Sequence, residues 1–363
     1  MVRFPPFEHL HFYDDLHGPK FLNISYSDIN PFTIREFGGY LPTKLDLSWG
    51  DVAGMPSLRR TVAALHCVPR EHVLITTGAT EANFVVNAAL VRPGDRVVAD
   101  SPMYSPLRDC PRGFGADVVE VARDCRDGWA FDIDRFRKAA NHRTRLLVVC
   151  NLNNPTSARI GRGELRELLE LAGELGAHLL VDETFRDLAF SDPPPSVASL
   201  GPRGIAMSTV SKMYGLGMLK VGWIVARPEV LRKVLEIRDY TTGNAPPLAQ
   251  AFADWAVRRH DFFVRRARAI VKRNRALFRE ILDRTTALHA DLPEIGNVVF
   301  PHSDANVTKL ERLLIRKYRT VIAHGRYFAA RGFRDHFRLG LGGNTPVFRR
   351  GLANLRRALT ELT

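Results

Sequence analysis

Two lysines lie in a segment whose residue types could bind a ligand. Lys212 and Lys220 are eight residues apart in TVSKMYGLGMLKVGW (209–223), among glycines and hydroxyl side chains and with no acidic residue in the stretch. A lysine amine that is shielded from water can form a Schiff base with an aldehyde, and a second lysine nearby can contact a phosphate group. We therefore predict that Lys212 is a covalent anchor and that Lys220 is a phosphate ligand.

Other polar residues follow the predicted strands. Residues 78–80 (GAT) open a predicted helix, where free backbone N–H groups favour a phosphate. Tyr104 offers an aromatic ring, Asn154 an amide, and Asp182 a carboxylate at the tip of a buried strand. Such a carboxylate is costly unless a cation meets it, and it can keep a pyridine nitrogen protonated so that the ring accepts electrons. Each segment alone is also typical of an ordinary turn or helix start, but their coincidence favours a ligand site.

A sheet must position these residues. Short apolar runs alternate with helical patterns between residues 70 and 230, which predicts a mainly parallel sheet with helices on both faces. Ligands collect at the carboxyl ends of the strands in such sheets, so the segments above should meet at one edge. The predicted strands span residues 73–77, 96–100, 117–122, 145–151, 177–183, 204–209 and 221–226, with helices at 81–91 and 163–176.

The composition is that of an ordinary globular protein and argues against several classes. Of the 363 residues 45% are hydrophobic, yet no apolar run reaches the roughly 18 residues that a membrane span needs. The N-terminus has acids and prolines where a signal peptide has an apolar core, so we expect a cytoplasmic protein without a membrane partner. Four cysteines without CxxC spacing and twelve histidines without an HExxH pattern predict reduced thiols and no metal site.

The net charge of +13 raises nucleic acid as a possible partner. Much of the basic excess lies in residues 258–280, where apolar residues recur at helical spacing and the arginines would form the solvated face of a helix. No recognition-helix, zinc-finger or aromatic stacking motif accompanies this segment. We therefore expect no nucleic-acid partner.

The order and spacing of these motifs resemble those of the class I/II aminotransferases, the fold-type I enzymes that use pyridoxal 5′-phosphate (PLP). The resemblance covers about residues 45 to 345 and rests on GAT, P-x-Y, NNPT, VDE, and SK followed by GW. It implies an α/β fold with a mainly parallel seven-stranded sheet covered by helices and a smaller α/β C-terminal domain. The implied division is an N-terminal arm packing with the small domain (1–44), a large PLP-binding domain (45–240), and a long connecting helix with the small domain (241–363).

The resemblance also implies roles for individual residues. Lys212 would bind PLP as a Schiff base and later move the substrate's α-proton. Asp182 would pair with the pyridinium nitrogen, Asn154 would contact the ring 3-oxygen, and Tyr104 would stack on the ring. Arg338 would bind the substrate α-carboxylate, a task that suits the guanidinium fork. The other expected contacts are Gly78, Ala79, Thr80, Thr209, Ser211 and Lys220 around the phosphate, and Asn154 and Ser27 at the substrate, with Asp28 beside its side-chain pocket.

Five positions depart from the family pattern. Phe185 replaces a tyrosine whose hydroxyl would share the ring 3-oxygen with Asn154, so a cofactor neighbour has lost a donor. Lys220 replaces an arginine, Met218 and Ser157 replace glycines, and Trp49 occupies the position of a tyrosine that reaches the neighbouring subunit's phosphate. In having a phenylalanine at position 185, the chain also resembles the branch of antibiotic-pathway PLP enzymes that includes capreomycidine synthase.

Two enzymatic functions and one non-enzymatic function follow from the resemblance. The first is transamination between an α-amino acid and a 2-oxo acid. The alternative is PLP-dependent lyase, decarboxylase, cyclase or oxidase chemistry on a specialised amino acid in antibiotic biosynthesis. The third, a PLP-binding regulator, would need an attached DNA-binding domain, and a forty-residue arm is too short to hold one. The resemblance further implies a homodimer with the active sites at its interface.

Overall fold

The elements below belong to residues 4–12, 16, 20–48 and 50–362, which are the residues that this computed structural model describes; Trp49 lies outside them. The strands are β1 (Leu22–Asn23), β2 (Val73–Thr76), β3 (Arg96–Ser101), β4 (Asp117–Ala122), β5 (Thr144–Cys150), β6 (His178–Asp182), β7 (Gly204–Thr209), β8 (Gly222–Val225), β9 (Leu288–His289), β10 (Val298–Val299), β11 (His302–Ser303), β12 (Thr320–Val321), β13 (Ala323–His324) and β14 (Phe337–Gly340).

The α-helices connect and cover these strands. They are α1 (Glu8–His11), α2 (Pro56–His66), α3 (Gly78–Leu90), α4 (Ser105–Gly113), α5 (Ile133–Ala139), α6 (Arg162–Glu174), α7 (Val197–Leu200), α8 (Pro228–Arg238), α9 (Pro247–Val257), α10 (His260–Leu282), α11 (Val307–Tyr318) and α12 (Thr345–Leu362). Across the described part of the chain, no helix combines the length and the apolar character that crossing a membrane requires.

Seven strands form one large sheet in the order β2-β8-β7-β6-β5-β3-β4. The strands from β7 to β4 are parallel, whereas β8 runs antiparallel to both of its neighbours. The prediction of a mainly parallel seven-stranded sheet is therefore confirmed. Each of the seven strands of this sheet begins and ends within one residue of its predicted range.

The central strands are mostly apolar because helices cover both faces of the sheet. All residues of 146–150 in β5 are buried, as are all residues of β7. The helix α6 shows the complementary pattern: its buried residues Leu165, Leu168, Leu171 and Ala172 recur at helical spacing. Its first turn is capped by the Glu164 carboxylate, which accepts a hydrogen bond from the Gly161 N–H at 2.5 Å.

Two further helices bear on the predictions. The helix α3 begins at Gly78, three residues before the predicted start at 81, so the GAT segment forms the first helical turn. In α10 the apolar side chains of Phe263, Val271 and Phe278 are buried, and most arginines form the solvated face as predicted. Arg275 is an exception, because its buried guanidinium donates to the carbonyl oxygens of residues 295 and 296.

The C-terminal part contains a three-stranded antiparallel sheet of β10, β14 and β13. The N-terminal segment joins this part of the molecule, since β1 pairs in parallel with β12 through Leu22 opposite Thr320 and Asn23 opposite Val321. The helices α11 and α12 pack on each other, and α12 also packs on α10. The arm is thereby held between the C-terminal sheet and the edge of the large sheet where the polar residues meet.

Candidate active site

A cavity of about 1200 Å³ lies where the carboxyl ends of β5, β6 and β7 meet the first turn of α3. Because β8 runs antiparallel to β7, its first residue lies at this same edge. The N-terminal arm lines one side through residues 26–32. The structure brings these predicted residues to the cavity: Ser27, Gly78, Ala79, Thr80, Tyr104, Asn154, Asp182, Phe185, Thr209, Ser211, Lys212 and Lys220.

Lys212 follows β7 and forms an ion pair with the arm. Its Nζ lies 2.8 Å from Asp28 Oδ1, and the Lys212 side chain is 29% exposed. The backbone is fixed by two hydrogen bonds, since the Lys212 carbonyl accepts from Ile29 N at 3.1 Å and from Gly215 N at 3.2 Å. The expectation of a desolvated lysine is therefore wrong for this conformation, in which a carboxylate compensates the ammonium charge.

Asp182 ends β6 in the floor of the cavity and is almost fully buried. Its Oδ1 accepts a hydrogen bond from Thr184 N at 3.0 Å. Burial raises the pKa of the Asp182 carboxyl and outweighs the opposing effects of its hydrogen bonds and of Lys212. A buried carboxyl of this kind gains most from a cationic hydrogen-bond donor, which is what a protonated pyridine nitrogen supplies.

Arg338 lies on β14 and reaches the cavity through Asn154. Its Nη1 donates to Asn154 Oδ1 at 2.9 Å, while Nε and Nη2 donate to the Ser25 carbonyl at 3.1 and 2.9 Å. The guanidinium also lies over the Phe328 ring, 5.0 Å from its centre. Because Asn154 Oδ1 accepts from Arg338, the Asn154 Nδ2 group is the part that can donate to a ligand oxygen.

The opposite end of the cavity has the donors of an anion site. Thr209 Oγ1 lies 2.9 Å from Ser211 Oγ and accepts from Ser211 N at 3.2 Å. The first turn of α3 packs directly against β8: a Cβ on Gly222 would lie 2.8 Å from Ala79 N, so only glycine fits there. The buried Thr77 Oγ1 at the start of α3 makes no hydrogen bond with the described residues. Exposed Lys220 borders the same end.

Tyr104 lies beside Asp182 at the cavity wall. Burial raises the pKa of the Tyr104 phenol, and the Asp182 charge adds to that effect. The ring is therefore neutral at all physiological pH values. Its edge meets Phe7 of the arm, with ring centres 5.6 Å apart, so aromatic contacts hold the ring in place.

His9 is a buried residue near the site that sequence analysis did not identify. It lies in α1, is 5% exposed, and stacks on Tyr327 with ring centres 5.3 Å apart. Burial, with smaller contributions from Arg338 and Lys212, holds the pKa of His9 well below its usual value. A four-residue helix gives no periodic signal in the sequence.

Two of the departures from the family pattern have visible consequences. Phe185 is buried and lines the cavity, so no hydroxyl is present at that point. Ser157 has a left-handed backbone with φ 62°, and its Oγ donates to the Val298 carbonyl at 2.7 Å and lies 3.3 Å from Val298 N. Gly296 accommodates this hydroxyl, since a Cβ there would lie 2.1 Å from Ser157 Oγ.

Residues 45–355 match the family model described as aminotransferase class I and II. The chain belongs to this family. Among curated members, it is 32% identical to capreomycidine synthase of Streptomyces vinaceus over 353 residues, which cover 93% of this chain and 89% of that protein. It is 29% identical to the histidinol-phosphate aminotransferase of Symbiobacterium thermophilum, over 84% of this chain and 81% of that protein.

Solved structures of aminotransferase-like enzymes share the whole architecture. A PLP-dependent aminotransferase from Streptococcus suis superposes with a TM-score of 0.91 at 27% identity, over 99% of both chains. The PLP-dependent cyclase OrfR superposes with a TM-score of 0.90 at 27% identity, over 99% of this chain and 98% of that one. The protein is thus a fold-type I PLP-dependent enzyme of the aminotransferase family.

The residues in the cavity fit PLP. The buried Asp182 carboxyl suits a pyridinium nitrogen, and the α3 N-terminus with the unpartnered Thr77 hydroxyl suits a phosphate. Lys212 and Tyr104 line the same cavity. The cavity therefore has a complementary group for each polar part of the cofactor.

Proposed function

We propose that the protein transfers the amino group of an α-amino acid to a 2-oxo acid. The observation that carries this proposal is that Lys212 and Asp182 line one cavity, with Arg338 bonded to Asn154 of the cavity wall. The lysine would supply the amine and the proton transfer, the aspartate the counter-charge, and the arginine the binding of an α-carboxylate. PLP, when bound, supplies an electron-accepting ring that labilises the bonds at the substrate Cα.

The other residues would orient the reactants. Thr209, Ser211, Lys220 and residues 78–80 would hold the phosphate, so the ring is fixed at one end. Asn154 would donate from Nδ2 to the ring 3-oxygen, and Tyr104 would stack on the ring. Ser27 of the arm would contact the substrate.

The forked contact of Arg338 with Ser25 explains how a carboxylate could be admitted. Two of its donors point to one backbone carbonyl oxygen, and such a neutral acceptor is weaker than a carboxylate. Binding of an anionic substrate can therefore displace part of this arrangement and gain a charge-assisted pair. The cation remains buried in both situations, so it is always provided with an acceptor.

A single-turnover experiment tests the transamination. PLP-loaded enzyme is mixed with a panel of amino acids under air and under nitrogen, and the products are identified by mass spectrometry. Formation of the 2-oxo acid with pyridoxamine phosphate is the expected result, and Lys212→Ala is the inactive control. Release of ammonia, sulfide or carbon dioxide, or uptake of oxygen, without pyridoxamine phosphate would contradict transamination.

A second candidate is lyase, decarboxylase, cyclase or oxidase chemistry on a specialised amino acid of antibiotic biosynthesis. Phe185 favours it, because the missing hydroxyl changes the electronic surroundings of the ring relative to those in ordinary aminotransferases. The similarity to capreomycidine synthase and to a PLP-dependent cyclase also supports it. The same experiment decides between the candidates, since a cyclised or eliminated product would identify the second.

We further propose a homodimer with both active sites at its interface and a cytoplasmic location. Large apolar side chains are exposed between residues 34 and 47: Ile34 is 72%, Leu41 67% and Leu47 74% exposed. A second copy that covered them would bury this apolar area. Sedimentation equilibrium of PLP-loaded enzyme should give twice the chain mass, and an active monomer would contradict this. Fractionation of the producing cells tests the location.

A further inference from the structure

Three histidines form a row across neighbouring strands in the C-terminal part, away from the PLP cavity. His302 of β11 pairs with His289 of β9 on one side and with His336 through an isolated bridge on the other. The rings of His289 and His302 are stacked, with centres 4.6 Å apart and an angle of 20°. The His336 ring follows at 5.5 Å from His302.

A carboxylate completes the exposed end of this row. Asp304 Oδ2 lies 3.1 Å from His289 Nε2, and the two side chains are 60% and 46% exposed. One ligand atom from each of His289, His302 and Asp304 can be chosen so that all three lie within 4.8 Å of one another. Two exposed potential ligands, His289 and Asp304, thus lie next to a third, the partly buried His302.

We propose that His289, His302 and Asp304 bind a divalent transition-metal ion of the zinc class. Two imidazole nitrogens and one carboxylate oxygen are a ligand set that zinc, cobalt, nickel and copper accept, and water would complete a four-coordinate site. Magnesium and calcium prefer a shell of oxygen ligands, which this cluster does not supply. The ligand atoms already lie within 4.8 Å of one another, and the His289 and Asp304 side chains are largely exposed to solvent.

His336 holds the His302 ring in position. His336 is buried, and its Nδ1 lies 2.7 Å from Asp335 Oδ1. Its ring is also held by Phe300, with ring centres 5.1 Å apart. Because His336 cannot move easily, it forms a fixed surface against which the His302 ring stacks, which reduces the freedom that His302 would lose on binding a metal ion.

A metal ion there would connect the two strands of a small, weakly paired unit. The strands β9 and β11 have two residues each, and a few bonds such as that from Ser303 Oγ to the Ala287 carbonyl, at 3.1 Å, hold them together. A ligand that binds only the folded state raises the stability in proportion to the logarithm of its concentration. The expected role is therefore structural, and PLP binding should not depend on it.

The sequence offers no motif for this site. The prediction of no metal site rested on the lack of HExxH and CxxC patterns, which require ligands close together in the chain. Here the fold brings together two residues of one strand region and a histidine that lies thirteen positions earlier. Cross-strand pairing supplies the proximity that local spacing supplies in a helix.

Metal titration of the PLP-loaded enzyme tests the proposal. The protein is treated with a chelator and desalted, Cys67 is replaced by serine because its thiol is exposed, and ZnCl₂, CoCl₂ or MgCl₂ is added. We expect one zinc ion per chain by calorimetry, a rise in Tm with zinc concentration, visible absorption bands of four-coordinate cobalt, and no effect of magnesium. The absorption of PLP should remain unchanged.

Variants locate the ion. His289→Asn and Asp304→Asn should each weaken zinc binding by about tenfold or more, and the variant combining His289→Asn with His302→Asn should not bind it. His142→Asn, which changes an exposed histidine elsewhere, is the matched control and should bind zinc normally. His289 and Asp304 are exposed, so their variants should fold. The absence of binding, or equal binding by the double variant, would overturn the proposal.

Discussion

The carboxylate of Asp28 lies 2.8 Å from the amine of Lys212, so the N-terminal arm directly contacts the lysine that would bind PLP. The two residues are far apart in the sequence and meet because the Ile29 N–H donates to the Lys212 carbonyl next to them. The arm is therefore a constituent of the site and does more than cover it. Its acid is close enough to orient the ammonium group whenever Lys212 carries a proton.

Asp28→Asn should slow turnover with little effect on PLP binding. The amide keeps the size of the side chain and removes the negative charge that orients the Lys212 ammonium. Because a positioned acid–base group contributes about 10²- to 10⁴-fold, we expect kcat to fall at least tenfold. The measurements are kcat, KM and the PLP dissociation constant, with Asp46→Asn, which changes an exposed acid that does not line the cavity, as the control. An unchanged kcat would show that the ion pair has no part in the reaction.

Lys212→Ala should abolish the visible absorption of the PLP-loaded enzyme and its covalent labelling by borohydride. Lys220→Ala is the matched control, because it removes a lysine from the same segment and leaves the attachment point intact. The control should keep the visible band and bind PLP about tenfold more weakly, as expected for one charge-assisted contact with the phosphate. A borohydride-stable adduct in Lys212→Ala would assign the attachment to another residue.

Phe185→Tyr should lower the pH midpoint at which the visible absorption of PLP-loaded enzyme changes. The new hydroxyl would donate to the ring 3-oxygen and favour its anionic form. A hydrogen bond to a charged group is worth about 1.5–3 kcal/mol, which corresponds to a fall of roughly one to two pH units. Phe185→Leu changes the packing without adding a donor and should leave the midpoint in place. An identical titration and identical products in the tyrosine variant would restrict Phe185 to a packing role.

The lowered pKa of His324 leads us to expect that folding stability declines in mild acid. Its Nδ1 accepts from Arg326 N at 3.2 Å and its Nε2 lies 3.1 Å from Thr308 Oγ1. Burial, with the charges of Arg326 and Arg334, lowers the pKa of His324 from 6.5 to about 4. The folded state then binds fewer protons than the unfolded state, so stability is lost as the pH falls below the unfolded pKa. Between pH 7.5 and pH 5 the loss from this group should be about 2 kcal/mol.

Urea unfolding of the protein and of His324→Gln at these two pH values measures that contribution. Glutamine does not titrate, so the loss of unfolding free energy on acidification should be about 2 kcal/mol smaller in the variant. Comparing the pH-dependent losses cancels the cost of the substitution itself. If both proteins lose the same free energy, another group accounts for the acid sensitivity.

The large sheet was predictable because each of its strands is a short apolar run with a turn on either side. The runs at 145–151 and 204–209 are examples, and burial on both faces is the reason that they are mostly apolar. Some strands of the C-terminal part could not be found in this way. With two residues each, β9 and β12 are too short to show a repeating pattern.

The residues of the candidate site likewise fall into those that the sequence pattern predicts and those that it does not. Residues such as Asp182 and Lys212 follow apolar strands, so the parallel sheet itself brings them to one edge. His9 and the contact of Asp28 with Lys212 depend on how the arm folds back over the sheet, which no local pattern encodes. The roles of these residues and the division into an arm and two domains stay predictions.

The bond between Ser157 and Val298 has a mechanical consequence. It fastens the loop after β5 to the C-terminal sheet at a point where a glycine would leave the backbone free to turn. Gly296 leaves room for the same hydroxyl, so the large sheet and the C-terminal sheet are linked at this point. The link opposes rotation of one sheet relative to the other. Because this frame is rigid, the arm is the element whose displacement would admit a substrate. We therefore expect the main opening motion to be a hinge movement of the arm against a fixed frame.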